Sequence, residues 1–416
     1  DGVDLDDLLA GVEAGLARFE RDGVDAGALE RIKTMSEADF FARQASVLGK
    51  GAALAWHDLY GTSPDADLAA LRAVTADDVM RVYEAYLKDR PHVATSFVPR
   101  GQGALALEGS EVAAVVEEPI VQGAEAPVDA TPGAADYERT PSSFDRSVEP
   151  PFGPAPVVEP PAVWSGALTN GLQVSGIEHD ETPLAYFQLA IEGGRLFDDP
   201  ERPGTASLLA RMLDRGTRDR TPAELENAFK SLGATIDVAA GDERFVITGR
   251  TLSRNFAATL ALVEEMLLEP RWDEAELALA KAAAGAQLAA AHAEPGAMAS
   301  RVYDLVAYGP GHVLATNALG TETTLAAIGM QDLQAFMQRS LAPQHARMRV
   351  VGPVRRDEAL AALASLGERW QASEVAIPEY PAPTPPDASR IHFYDMPGAT
   401  QSVLLFGYPA LTRADP

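Results

Sequence analysis

Between Gly101 and Pro161 the chain carries Pro119, Pro127, Pro132, Pro141, Pro150, Pro151, Pro154, Pro156, Pro160 and Pro161 among acidic and small residues. Proline fixes φ and has no backbone N–H to donate, so such a stretch joins neither helix nor sheet and acts as a semi-extended spacer. Residues 101–160 are therefore expected to be an acidic, Pro-rich linker, and one continuous core is excluded. A chain of 416 residues is in any case too long for a single ordinary core. With 46% hydrophobic residues, the parts on either side have enough apolar material to fold.

The two sides read differently. In residues 4–48, Leu5, Leu8, Leu9, Val12 and Leu16 recur at helical spacing; Gly23 interrupts, and Leu29, Ile32 and Phe40 resume the pattern. Ser63-Pro64 predicts an N-cap followed by proline at the first helical position, and Thr75 with Asp78 predicts a capping box for a helix ending near Leu87. An apolar run at residues 93–98 predicts a strand. Beyond the linker, strands are expected at 172–177, 185–191, 235–238, 244–248, 348–351 and 403–406, and helices at 205–213, 255–268 and 273–291. Thr221-Pro222-Ala223-Glu224 opens one more helix with a capping box. The fold class is α+β, with two-layer domains in which helices pack on a mainly antiparallel sheet.

A weak internal repeat accompanies this pattern. Leu71-Arg72-Ala73-Val74-Thr75-Ala76-Asp77-Asp78-Val79 matches Leu325-Ala326-Ala327-Ile328-Gly329-Met330-Gln331-Asp332-Leu333 in apolar pattern and aspartate position, and Pro99 then falls on Pro353. Asp25 to Lys33 resembles Asp273 to Lys281 at nearly the same offset. Shared order argues for tandem repeats.

Several functions are excluded. A net charge of −27 leaves no basic footprint for nucleic acid. With no cysteine there are no disulfides, thiol nucleophiles or cysteine metal sites. No apolar run is long enough for a membrane-spanning helix, and Asp1-Gly2-Val3-Asp4 is unlike a signal peptide. Of His57, His92, His179, His292, His312, His345 and His392, no two stand three or four residues apart as helix-borne zinc ligands would. Lipase and phosphate-loop motifs are missing, and the neighbours Glu264-Glu265 point apart on a helix.

Residues 168–370 resemble the first domain of a pitrilysin/insulinase zinc-peptidase repeat. The resemblance rests on Leu168-Thr169-Asn170-Gly171-Leu172, Glu192-Gly193-Gly194, Gly204-Thr205-Ala206, Arg215-Gly216-Thr217, Leu232-Gly233-Ala234, Gly309-Pro310-Gly311-His312 and Leu319-Gly320-Thr321-Glu322, all in order. In active members the helix opened by Gly-x-Ala bears His-x-x-Glu-His, with a further glutamate ligand well downstream. Here Ser207, Ala210 and Arg211 stand in place of the two histidines and the catalytic glutamate, and Gln287 stands about where the distant ligand should be. Zinc needs lone-pair donors and its bound water needs a carboxylate base. Ala210 is no base, and Arg211 has no lone pair and would repel a dication by several kcal/mol at an effective dielectric of about 20. The resemblance implies a degenerate site holding no metal.

It implies a layout as well. Residues 1–100 would be the C-terminal part of the preceding repeat's second domain, 161–385 a complete peptidase-like domain, and 386–416 the start of the next. The parent protein would be a two-repeat zinc metalloendopeptidase in which a zinc-bearing repeat or subunit and this metal-free half close around unfolded peptides. The chain alone would be inactive, and the Arg and Tyr pair that helps bind substrate would fall outside it. The alternative is a structural, partner-binding member without peptidase activity. Bacterial relatives of this layout imply export to the periplasm, with the cytoplasm as the other location.

Overall fold

A computed structural model of the protein describes residues 4–99, 101–113, 159–380, 387–399 and 401–408, with a few isolated positions between them. The prolines from Pro119 to Pro156, on which the linker rests, lie outside the described residues. The chain forms two compact units, residues 1–23 with 81–160 and residues 24–80 with 161–416.

The first unit contains α1 (Leu5–Asp22), started by Asp4, whose carboxylate accepts from the Asp6 N–H. Phe19 meets Tyr83 edge to face at 5.1 Å, and the Tyr83 hydroxyl donates to Glu20 at 2.7 Å. That bond to a carboxylate holds the Tyr83 phenol protonated up to about 12.

The second unit begins with α2 (Ala26–Arg43), α3 (Val47–Tyr60) and α4 (Pro64–Ala73), after which comes α5 (Ala76–Tyr86). Ser63 caps α4 through a bond from the Ala66 N–H, with Pro64 at the first helical position. Thr75 and Asp78 form the reciprocal cap before α5. Then follow β1 (Val163–Ala167), β2 (Gln173–Glu178), β3 (Leu184–Glu192), α6 (Thr205–Leu213), α7 (Pro222–Ser231), β4 (Thr235–Ala240), β5 (Arg244–Leu252), α8 (Phe256–Leu268), α9 (Glu274–His292), α10 (Pro295–Tyr308), α11 (Glu322–Ala327), α12 (Met330–Ser340), β6 (Ala346–Gly352), α13 (Arg356–Ala362) and α14 (Ala364–Arg369). The capping box at Thr221 and Glu224 starts α7.

Among the described residues the strands make one sheet in the order β1-β2-β6-β3-β5-β4, antiparallel except where β2 meets β6. Strand side chains alternate between faces. Ala185, Phe187, Leu189 and Ile191 of β3 therefore share a face with Phe245 and Ile247 of β5 and with Met348 and Val350 of β6, and all are buried. Helices α6, α8, α9 and α12 contribute Leu209, Met266, Leu277 and Phe336 to the same core. This two-layer, mainly antiparallel α+β architecture is the one read from the sequence.

Two expected strands are absent. Residues 93–98 and 403–406 are irregular, with Val93, Phe97, Leu404 and Phe406 exposed. A strand exists only through a neighbour that completes its ladder, and neither segment has one among the described residues. The matched segments share local geometry: Asp25 and Asp273 each cap a long helix, α2 and α9, and Val74 and Ile328 each separate a pair of short ones.

Two glycines of the resemblance motifs have a specific steric cause. Gly204 (φ +106°) and Gly320 (φ +80°) bring two loops together backbone to backbone; a Cβ on Gly204 would lie 2.9 Å from the Leu319 carbonyl oxygen, and one on Gly320 would strike the Pro203 carbonyl. By contrast, Gly285 lies within α9 with open space where a Cβ would go. Gly204→Ala should therefore destabilise the domain by more than about 1–2 kcal/mol, whereas Gly285→Ala should stabilise it by roughly 0.5–1 kcal/mol. Urea unfolding of the two variants checks both signs.

Candidate functional site

The site is built on α6, α9 and the loop before α11. Of the residues of α6, only Ser207 and Arg211 are not buried; Thr205, Ala206, Leu208, Leu209, Ala210, Met212 and Leu213 all are. Ser207, Ala210 and Arg211 are three and four residues apart and share a side of the helix. Ala210 is 4% exposed and offers only a methyl group. The Ser207 hydroxyl donates to the Ala318 carbonyl at 2.6 Å. Arg211 reaches across to α9, where its Nη2 donates to Gln287 Oε1 at 2.5 Å. The fold thus joins two of the four singled-out residues directly, although 76 positions separate them.

This set does not fit a zinc ion. The Ser207 oxygen is engaged in the loop bond, Ala210 supplies no donor atom, and the Arg211 guanidinium is itself a cation whose N–H group occupies the Gln287 oxygen. Among the described residues, no group of three or more His, Asp or Glu side chains is placed to hold a metal ion. With neither a ligand set nor a carboxylate base, these four side chains cannot activate a water molecule through zinc.

The surroundings of α6 contain further groups, of which Asp198 and Arg195 belong to no motif read from the sequence. Asp198, 3% exposed, accepts from the Gly204 N–H at 3.0 Å and the Ala206 N–H at 2.9 Å, satisfying donors at the start of the helix. Burial pushes its carboxyl up to about 6, against the pull of these N–H groups and of Arg195 and Arg339. Arg195, also buried, pairs with Asp242 at 2.8 Å and donates to the Val313 and Thr316 carbonyls at 3.1 and 2.7 Å. His312 lies between the rings of Tyr308 and Tyr380, at 5.0 and 4.9 Å, and accepts from the Leu314 N–H; burial holds its imidazole below the usual range. No short-range motif announces Arg195, because Asp242, Val313 and Thr316 lie on other loops, whereas His312 stands in the Gly309-Pro310-Gly311-His312 run.

Residues 175–308 match the family described as insulinase, peptidase family M16. An uncharacterized zinc protease of Rickettsia bellii is 27% identical over 111 residues, which is 27% of this chain and 27% of the relative. The mitochondrial-processing peptidase subunit beta of Mus musculus is 25% identical over 133 residues, 32% of this chain and 27% of the relative. The chain thus covers about a quarter of the length of each. The crystal structure of a peptidase M16 inactive domain from Pseudomonas fluorescens superposes with a TM-score of 0.51 at 25% identity, covering 55% of each chain. Fold and matches together point the same way: residues 175–308 match the peptidase M16 family, and the domain around them resembles a solved M16 domain.

The Asp198 carboxyl generates a pH prediction. Because its folded pKa stands above the unfolded value of about 3.9, the native state binds the proton more tightly. Its contribution to stability is fully present below about pH 4 and is lost as pH rises through about 6. Carboxyl ¹³C NMR should show one aspartate titrating near pH 6 that disappears in Asp198→Asn.

Proposed function

We propose that this chain is the non-catalytic half of a zinc-dependent metalloendopeptidase, closing a peptide-binding chamber around unfolded peptides that a zinc-bearing repeat or subunit cuts. The hydrogen bond from Arg211 to Gln287 carries the reading, because it links two places where the family resemblance puts ligands with a pair unable to bind zinc. The M16 match and relatives named as zinc proteases support zinc chemistry in the parent protein. The Pseudomonas fluorescens protein, described as an inactive M16 domain, supports a non-catalytic member.

In this reading residues 1–100 close the preceding repeat, 101–160 join the halves, 161–385 form the degenerate domain and 386–416 begin the next. Ser207, Ala210, Arg211 and Gln287 are the degenerate positions, and peptides contact the chain without being cut by it. The compartment is exported, the periplasm in a bacterium. No helix among the described residues is long and apolar enough to cross a membrane.

Calorimetric titration tests the proposal. The chain should bind Zn²⁺ no tighter than about 1 mM, whereas Ser207→His/Arg211→His/Gln287→Glu, which restores three ligands, should bind with a Kd of about 10 µM or tighter. Chelator-sensitive cleavage of an unfolded peptide by the unmodified chain would sink it.

A further inference from the structure

Residues 24–80 belong to the same compact unit as residues 161–416, yet residues 81–160, which connect them, belong to the other. Covalent adjacency therefore does not hold the helical block to the sheet. Side chains of α2 do. Ala38, 0% exposed, packs with Leu184 at the start of β3 and Leu252 at the end of β5, flanked by Phe41 and Ala42. On one side, Glu37 accepts from both terminal nitrogens of Arg254 at 3.0 and 2.8 Å and from Arg72 at 2.6 Å. On the other, Asp39 accepts from Arg250 at 2.7 Å. The helix also comes close to the domain backbone, where a Cβ on Gly233 would lie 3.2 Å from the Thr34 carbonyl oxygen. An apolar centre ringed by charge pairs, one of them a two-pronged Arg–carboxylate contact, is the anatomy of a recognition surface.

We propose that Leu184, Leu252, Arg250 and Arg254 form a docking surface on the sheet domain whose partner is a helix presenting Glu-Ala-Asp, filled here by α2 with its block of residues 24–80. The block is held by this surface, not by the connecting segment. It follows that the chain can be cut between the two parts and stay assembled, and that the block can be supplied on a separate polypeptide. This inference is independent of the degenerate site.

The test uses the full chain with a protease recognition sequence inserted between residues 125 and 126, cut to completion. The fragments should co-elute in size exclusion and show a Kd below about 1 µM on dilution. Arg254→Glu, which sets a carboxylate against Glu37, should raise that Kd at least about tenfold. Arg72→Ala, whose guanidinium belongs to the same block as Glu37, should change it less than about threefold. Asp39→Lys, set against Arg250, gives a second reading should Arg254→Glu lose its native circular dichroism, and is expected to raise the Kd about tenfold. Separation of the unmodified fragments, or a Kd unmoved in a folded Arg254→Glu or Asp39→Lys, would overturn the proposal.

Discussion

The burial of α6 decides what the site can be. A helix that gives all but two of its residues to the core leaves its outward chemistry to those two, here Ser207 and Arg211. Their directions are set by the packing of Leu208, Leu209, Met212 and Leu213 beneath them. The start of the helix is held by Asp198 and by the close approach of the Gly204 and Gly320 loops. The Ser207 bond to Ala318 and the Arg211 bond to Gln287 tie the outer side to α9 and the loop before α11. A site so fixed changes its function only by changing which side chains stand at these positions.

Two buried carboxylates show how local surroundings set opposite outcomes. Glu37 meets the guanidinium of Arg254 in a two-pronged bond, with Arg72 added, and its carboxyl is held below the ordinary range despite burial. Asp198 receives backbone N–H groups, with Arg195 and Arg339 exerting only a Coulombic pull, and there burial prevails. The direct ionic bond separates them. Glu37 therefore favours the folded state above its unfolded pKa and loses that contribution as pH falls, the reverse of Asp198.

The helices of the second unit were readable because their signals are local. Caps at Ser63, Thr75 and Thr221 involve residues three apart, and the apolar spacing of α6, α8 and α9 lies within each helix. The runs at 93–98 and 403–406 form no strand for the complementary reason: apolar runs state a preference, but the ladder needs a partner from elsewhere. Arg195 and Tyr380 carry no local signal because their partners are distant in the chain; Tyr380, for example, donates to the Leu196 carbonyl.

From the sequence alone came the α+β class, the capped helices, the resemblance to a zinc-peptidase domain and the residues Ser207, Ala210, Arg211 and Gln287, whose chemistry is a property of their identity. A guanidinium has no lone pair wherever it stands. Only the tertiary structure decided that Arg211 meets Gln287, that Glu37 gathers Arg72 and Arg254, and that β2 lies beside β6. Each of these joins residues far apart in the chain, and such pairings are set by how the helices and sheet bury their apolar faces together, which no short stretch of sequence contains.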